Sequence, residues 1–422
     1  MAKHGFPTRP RPTSRSLELK QSILAAFVFD AEQTRQRLVG FDEADWLSIF
    51  WWLDISGIAI YFLDRTQQIG IESALPQSVH SSLNQRFERN RSRTRALFDE
   101  ACALSASFEA DGIPYALLKG ITLVPYSVPD SSLRAQTDLD FLVPATLAER
   151  AAHHIHLCGY KLHAISGNTL EYRAGAPSIP DLANIYSADT QRALELHLAP
   201  EGLPESQLLE RRVELCSMHT RIYSLSPEDI LVQQALHLLK HLCGEHTRVS
   251  WVLEFHRHLL ARRNDSPFIQ RAAAHAADSF NGNLAMAIAI WASRELFAEP
   301  GVDLPEEWRE CALPPRVRLW LERYLRSSLL SDEIGSKLYA LLQAQVPCAA
   351  SHVRTTRQIL VPRRLPAPLF RSRPGERFVE RRSRYVMEFN FFQRRLYFHI
   401  REGIRFIIEA TRWNRAVAKE GL

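Results

Sequence analysis

The feature that most constrains this chain is a change of apolar period at Asp111-Gly112-Ile113-Pro114. Before it, apolar residues recur at helical spacing: from Leu17 to Phe29, through Trp46, Phe50, Ile55 and Ile58, and along Leu83 to Phe108. The last stretch reads as one long helix carrying Arg86, Arg89, Arg91, Arg93 and Arg95. After the turn, short apolar runs separated by Gly, Pro and Asp predict strands at Tyr115–Leu118, Leu139–Val143, Tyr160–Ile165 and Leu194–Leu198, with a helix from Leu147 to Cys158. Ser226-Pro227-Glu228-Asp229 is a helix start with acids on its first turn, and helical spacing then runs to about residue 345.

These changes divide the 422 residues into an N-terminal stretch without fixed structure (1–16), a helical region (17–110), an α/β core (111–205), a helical domain (206–345) and a basic linker with an aromatic C-terminal helix (346–422). The expected fold class is α+β, a small mixed-sheet core flanked by helical regions. The 46% hydrophobic content supplies a core. The most apolar window, Trp46 to Leu63, contains Asp54 and falls short of the ~20 clean residues of a membrane span, so it reads as a buried helix and no transmembrane segment is expected. The basic N-terminus is not followed by a signal-peptide pattern. Cys102, Cys158, Cys216, Cys243, Cys311 and Cys348 lack paired spacing and are expected as buried thiols of a cytoplasmic protein.

Asp138 and Asp140 alternate along a predicted strand, so both carboxylates point to one side. Such a pair suits a hard divalent ion, Mg²⁺ or Mn²⁺, in phosphoryl chemistry. A bare D-x-D also occurs on solvated strand edges; its neighbourhood adds the information. Leu117-Leu118-Lys119-Gly120 lies upstream, Arg134 just before the pair, and Leu194-Glu195-Leu196-His197 on a later strand.

That order, LLKG, then Tyr126, then Arg134 followed by DLDFLV, then a strand with an acid and Leu-His, resembles a bacterial family of uncharacterised nucleotidyltransferases. The family belongs to the superfamily whose core resembles that of DNA polymerase β. The helix beginning at Ser226, with His237, and the run Arg248 to Glu254 resemble its downstream part, extending the likeness over about residues 20–345.

The resemblance implies that Asp138 and Asp140 bind metal and that Glu195 is the third carboxylate, also able to accept a proton. Lys119 and Gly120 stand where the superfamily generally has a Gly-Ser turn around the nucleoside triphosphate. A lysine offers phosphate a point charge, and a glycine lets backbone N–H groups approach. Arg134 is the second candidate phosphate contact, through its planar fork. Two positions depart from the pattern: Glu195 replaces an expected Asp, and Leu198 follows His197 where an aromatic is common. His197 shares the face of Glu195 either as a core histidine or as a site residue.

The implied activity is Mg²⁺-dependent transfer of a nucleoside monophosphate from a nucleoside triphosphate to an acceptor that the sequence does not identify, with release of pyrophosphate. A different class stays open: a non-catalytic protein of the same fold that binds nucleic acid or an anionic membrane surface through the basic run 363–384. The blander reading of that run is a solvated linker, followed by a helix whose aromatics, Tyr385 to Tyr397, pack it down. His237 and His241 share a helix face, but Leu238 occupies the glutamate position of H-E-x-x-H, so a structural role is expected ahead of zinc binding. Neither a Walker loop, a G-x-G-x-x-G nor a G-x-S-x-G is present.

Overall fold

The computed structural model describes residues 14–175, 185–186, 191–216, 221–333, 335–347, 355–360 and 377–422. They form two compact units. The larger comprises residues up to Leu239 with Arg248–Ala312 and Leu329–Asp332; the smaller comprises Lys240–Thr247, Leu313–Ser328 and the chain from Glu333. The stretch 1–13 and much of the basic run, including Arg363, Arg364, Arg371 and Arg373, lie outside the described residues.

The larger unit opens with five helices: α1 (Ser14–Ala25), α2 (Ala31–Leu38), α3 (Glu43–Ile55), α4 (Ala59–Gln68) and α5 (Gln77–Ala110). A capping box starts α3: the Asp42 carboxylate accepts from Asp45 N–H at 2.9 Å, and the Asp45 carboxylate accepts from Asp42 N–H at 3.2 Å. The apolar window expected as one buried helix is two, α3 and α4, bent by 112°. Gly57 makes the break. Its φ is +71°, and a Cβ there would lie 2.5 Å from Ser250 Oγ, so the chain turns where only glycine fits. No single described helix is long and apolar enough to cross a membrane.

The long helix expected in the arginine-rich segment is α5. Its inward row runs Val79, Leu83, Asn90, Arg93, Leu97, Ala101, Leu104 and Phe108, at helical spacing but with a polar middle. The C-terminal half of this row enters the core of the sheet.

The sheet has seven strands: β1 (Ala116–Leu118), β2 (Asp138–Pro144), β3 (Lys161–Ser166), β4 (Thr169–Ala174), β5 (Arg192–Ala199), β6 (Val213–Cys216) and β7 (Arg221–Ser224), in the order β3-β4-β5-β2-β1-β7-β6. It is mixed: β2 runs parallel to β5 and antiparallel to β1, and β1 runs parallel to β7. One face carries Leu139, Phe141, Val143, Leu194, Leu196 and Tyr172, buried against Leu97, Leu104 and Phe108 of α5 and Ile155 of α6 (Ala148–Leu157). Phe108 meets Phe141 edge-on at 5.4 Å, and burying side chains of this size contributes about 1.5–3 kcal/mol each. The other face is left for polar residues at the Asp138 end, while Leu142 and Ala199 are buried farther along. The architecture is thus the expected mixed-sheet core with flanking helices, with a larger sheet than the four strands predicted. Strands β4, β6 and β7 were not foreseen: β4 alternates Thr169, Glu171 and Arg173 with Leu170, Tyr172 and Ala174, a half-buried pattern that lacks a continuous apolar run.

After α7 (Pro204–Glu210), four helices follow: α8 (Pro227–Leu242), α9 (Val249–Ala261), α10 (Ser266–Asp278) and α11 (Gly282–Leu296). The smaller unit, which takes in the last turn of α8, holds α12 (Pro315–Trp320), α13 (Arg326–Leu329, whose last residue belongs to the larger unit), α14 (Tyr339–Gln343), α15 (Thr356–Leu360) and α16 (Phe378–Lys419). Tyr324 packs against Trp413 of α16 and donates from its hydroxyl to Glu409 at 3.2 Å. Of the six thiols expected to be buried, Cys102, Cys158 and Cys243 are half-buried and Cys311 is exposed, while Cys348 and the Cys216 side chain lie outside the described residues. Cys102 and Cys158 border the sheet core and do not fill it.

Candidate metal and phosphate site

Strand pairing builds the site. Because β2 and β5 are parallel and in register, Asp140 lies directly across from Glu195, and alternation places Asp138 two residues before it and His197 two residues beyond Glu195 on the same face. His197 Nε2 is 3.1 Å from Asp140 Oδ1 and 3.3 Å from Glu195 Oε2. Its Nδ1 meets the Thr169 hydroxyl of β4 at 3.1 Å, which fixes the ring plane. Asp140, Glu195 and His197 bring ligand atoms within 4.8 Å of one another, a spacing that can hold a metal ion.

Lys119 closes the cluster. Its Nζ donates to Asp140 Oδ1 at 2.7 Å and lies 3.9 Å from Glu195 Oε2. The backbone at Lys119 has φ 54°, and Gly120 follows with φ +50°. Two successive left-handed residues are costly for a lysine and free for a glycine, and they turn the end of β1 so that the ammonium faces β2. A Cβ on Gly120 would lie 2.2 Å from Gln136 Nε2, which itself donates to the Asp138 carbonyl at 2.6 Å. Gln136 therefore fills the space above Gly120 and ties the approach to β2.

The two aspartates are electrostatically unlike. Burial, then the neighbouring Asp140 charge, pushes the Asp138 carboxyl up to about 6. Burial also opposes ionisation of Asp140, but the His197 hydrogen bond and the Lys119 ammonium outweigh it and hold Asp140 well below the usual carboxylate range. Burial works against the charge on His197 as well, yet its bonds to Asp140 and Glu195 hold the imidazole above its ordinary value. Asp140 is 2% exposed and Glu195 33%, so Glu195 is the accessible acid.

The family resemblance implies Asp138, Asp140 and Glu195 together as metal ligands. The geometry brings Asp140 and Glu195 together, adds His197, and sets Asp138 beside them as a charge neighbour outside the ligand-spaced group. Arg134, expected at phosphate, directs Nε to Glu254 at 3.2 Å, while Tyr61 donates to the same carboxylate at 2.9 Å. Arg134 still acts electrostatically on Asp138, as do Arg93 and Arg248. The three guanidinium groups thus favour the charged form of Asp138, against its burial.

Several supports were missed in the sequence. Asn90 donates to the carbonyls of Ser132 (2.6 Å) and Arg134 (2.9 Å), and Arg93 donates to those of Ile185 (3.0 Å) and Thr137 (3.4 Å), clamping the loop before β2 onto α5. The signal was present: Asn90 and Arg93 interrupt an otherwise apolar row at the correct spacing. His237 and His241 do not form a metal site among the described residues. His237 packs edge-on against Trp251 at 4.6 Å, and His241 Nδ1 lies 3.1 Å from the His246 carbonyl.

Comparison with known proteins completes the picture. No curated protein matches the chain. Among solved structures, an antigenic nucleotidyltransferase-like protein from Paracoccidioides brasiliensis is similar over 49% of this chain and 94% of that one, at 13% identity and a TM-score of 0.31. A family model described as uncharacterised nucleotidyltransferase matches residues 42–298, more than half of the chain and a span that includes every site residue described above. The chain belongs to this uncharacterised nucleotidyltransferase family.

Proposed function

We propose that this protein transfers a nucleoside monophosphate from a nucleoside triphosphate to an acceptor hydroxyl or phosphate, with Mg²⁺ or Mn²⁺ and with release of pyrophosphate. The observation that carries the reading is the meeting of Asp140, Glu195 and His197 within 4.8 Å, beside Asp138 and Lys119, in a chain of the nucleotidyltransferase family. The donor set fits a divalent ion: carboxylate oxygens suit Mg²⁺ and Mn²⁺, and the imidazole nitrogen accepts a somewhat softer ion than Mg²⁺. Such an ion supplies charge stabilisation at the reacting phosphoryl group.

The chain's own groups then divide the work. Asp140 and Glu195 hold the ion, with His197 oriented by Thr169 as a third donor. Lys119 would offer its ammonium to phosphate oxygens, and Gly120 would leave the adjoining backbone open to them. Arg134, Arg93 and Arg248 act electrostatically on Asp138 and offset part of the negative charge it shares with Asp140 and Glu195. Glu195, the accessible acid, takes the proton of an acceptor hydroxyl.

Incubation with labelled nucleoside triphosphates, Mg²⁺ or Mn²⁺ and candidate acceptors should yield labelled product with the native chain and none with Asp138→Ala/Asp140→Ala. Undiminished transfer by that double variant would overturn the assignment. One contact favours a second reading, a fold that binds without turnover: Lys119 already supplies Asp140 with a cation at 2.7 Å. Calorimetric titration separates the two, because that reading requires no Mg²⁺-dependent nucleotide binding.

A further inference from the structure

We propose that the outer face of α16 is a docking surface for an anionic lipid bilayer, on which the helix lies flat. The sequence favoured a terminal helix packed by its aromatics. Within its unit, α16 instead packs through a different stripe, Glu402, Phe406, Trp413 and Ala416, all buried. The stripe Phe389, Phe392, Leu396, Ile400, Ile404 and Ile407 is exposed, from 40% at Phe392 to 63% at Ile407. Its spacing of three and four residues makes it one continuous face about 27 Å long. A helix that is apolar on two faces leaves one without a partner in this chain's described residues.

Charge selects the occupant. In the first half of the helix Arg381, Arg382, Arg384, Arg394 and Arg395 outnumber Glu380 and Glu388; in the second, Arg401, Arg405, Arg412, Arg415 and Lys419 outnumber Glu402 and Glu409. Both halves are net positive, so a second copy laid along the stripe, parallel or antiparallel, meets like charge. An anionic partner meets opposite charge throughout. The stripe also turns from aromatic at Phe389 and Phe392 to aliphatic at Leu396, Ile400, Ile404 and Ile407. Aliphatic side chains do not stack on bases, whereas they insert readily at the headgroup–acyl boundary, so the composition fits lipid better than nucleic acid. Arginines flanking the apolar face are placed to meet lipid phosphates while their stems cover apolar surface. The helix is not apolar enough to span a bilayer, so it lies in the interface.

The test is sedimentation of the full-length protein with vesicles of phosphatidylcholine alone or mixed with equal phosphatidylglycerol. Binding to the mixed vesicles, and not to phosphatidylcholine, is expected. Ile400→Glu/Ile404→Glu should weaken it by about tenfold or more, since two carboxylates then face the acyl boundary. Arg381→Glu/Arg382→Glu should weaken it several-fold and flatten its salt dependence. An unchanged circular dichroism spectrum shows that each variant keeps its fold. Any of these results overturns the proposal: no sedimentation with anionic vesicles; equal binding by the isoleucine variant; or a native dimer, by light scattering, that this variant returns to monomer. RNA binding abolished by the same isoleucines, with vesicle binding intact, would also overturn it.

Discussion

The β2–β5 face and the outer face of α16 invert the same rule in opposite directions. Charged residues are ordinarily outside and large apolar ones inside. On the sheet, Asp140 and much of Asp138, Lys119 and Arg134 are withdrawn from water. On the outer stripe of α16, six aliphatic and aromatic side chains are left in it. Each inversion raises the free energy of the isolated chain. Asp140, Lys119 and Arg134 tolerate it because partners stand within hydrogen-bond reach, and Asp138 by holding its proton more tightly, whereas an apolar stripe has no internal compensation and calls for an external one. The first inversion points to a small charged ligand, the second to a surface.

The sharpest way to break the comparison is to remove the carboxylates. Asp138→Ala/Asp140→Ala should lower transfer by on the order of 10³-fold or more in a labelled-nucleotide assay, equivalent to the several kcal/mol that metal-held charge supplies. Glu254→Ala comes next, as a change in stability. It strands Arg134 and the Tyr61 hydroxyl without their shared carboxylate, and breaking a buried pair in this way should cost about 3 kcal/mol, read from urea unfolding. Gly120→Ala, with a positive φ and Gln136 in the way of its methyl, should cost roughly 2 kcal/mol in the same measurement and disturb the Lys119 turn.

Asp138→Asn sharpens the contrast, because it separates stability from function. Folding raises the Asp138 carboxyl to about 6, above its unfolded value near 3.9. The folded chain therefore binds the extra proton, and its stability falls as pH rises between those two values and stays reduced above them. At pH 7.5 without metal, the amide should stabilise by roughly 1 kcal/mol, while at pH 3.5 the gain vanishes. Thermal melts at the two pH values check this, and Mg²⁺ should raise the melting temperature of the native chain more at pH 7.5 than at pH 5. The smallest effect is expected at the other inversion: Ile400→Glu should alter stability by less than about 0.5 kcal/mol, because its side chain already faces water.

Much of the fold was legible. Period and punctuation located α5, β1, β2, α6, β3, β5 and the helices after Ser226, because those segments bury one continuous face and local spacing records it. The break at Gly57 was not legible, since it depends on Ser250, far away in sequence. Strand β4 escaped because its apolar positions alternate with polar ones that belong to the site face. At the site, alternation was enough to pair Asp138 with Asp140, and motif order was enough to bring in Lys119 and Glu195. The part played by His197 was left open because it depends on parallel register between β2 and β5 and on Thr169 across β4.

By itself the sequence determined most of the helical segments and four of the seven strands, that the middle of the chain differs from its flanks, and that acids sit at a strand start. These are properties of neighbours along the chain, set by side-chain period and turn chemistry. Tertiary structure decided that Asp140 joins Glu195 and His197 more closely than Asp138 does, that Arg134 is engaged by Glu254, and that α16 turns an apolar face outward. Each of those outcomes depends on strand register or on which face of a helix finds a partner, and both are settled between residues far apart in sequence.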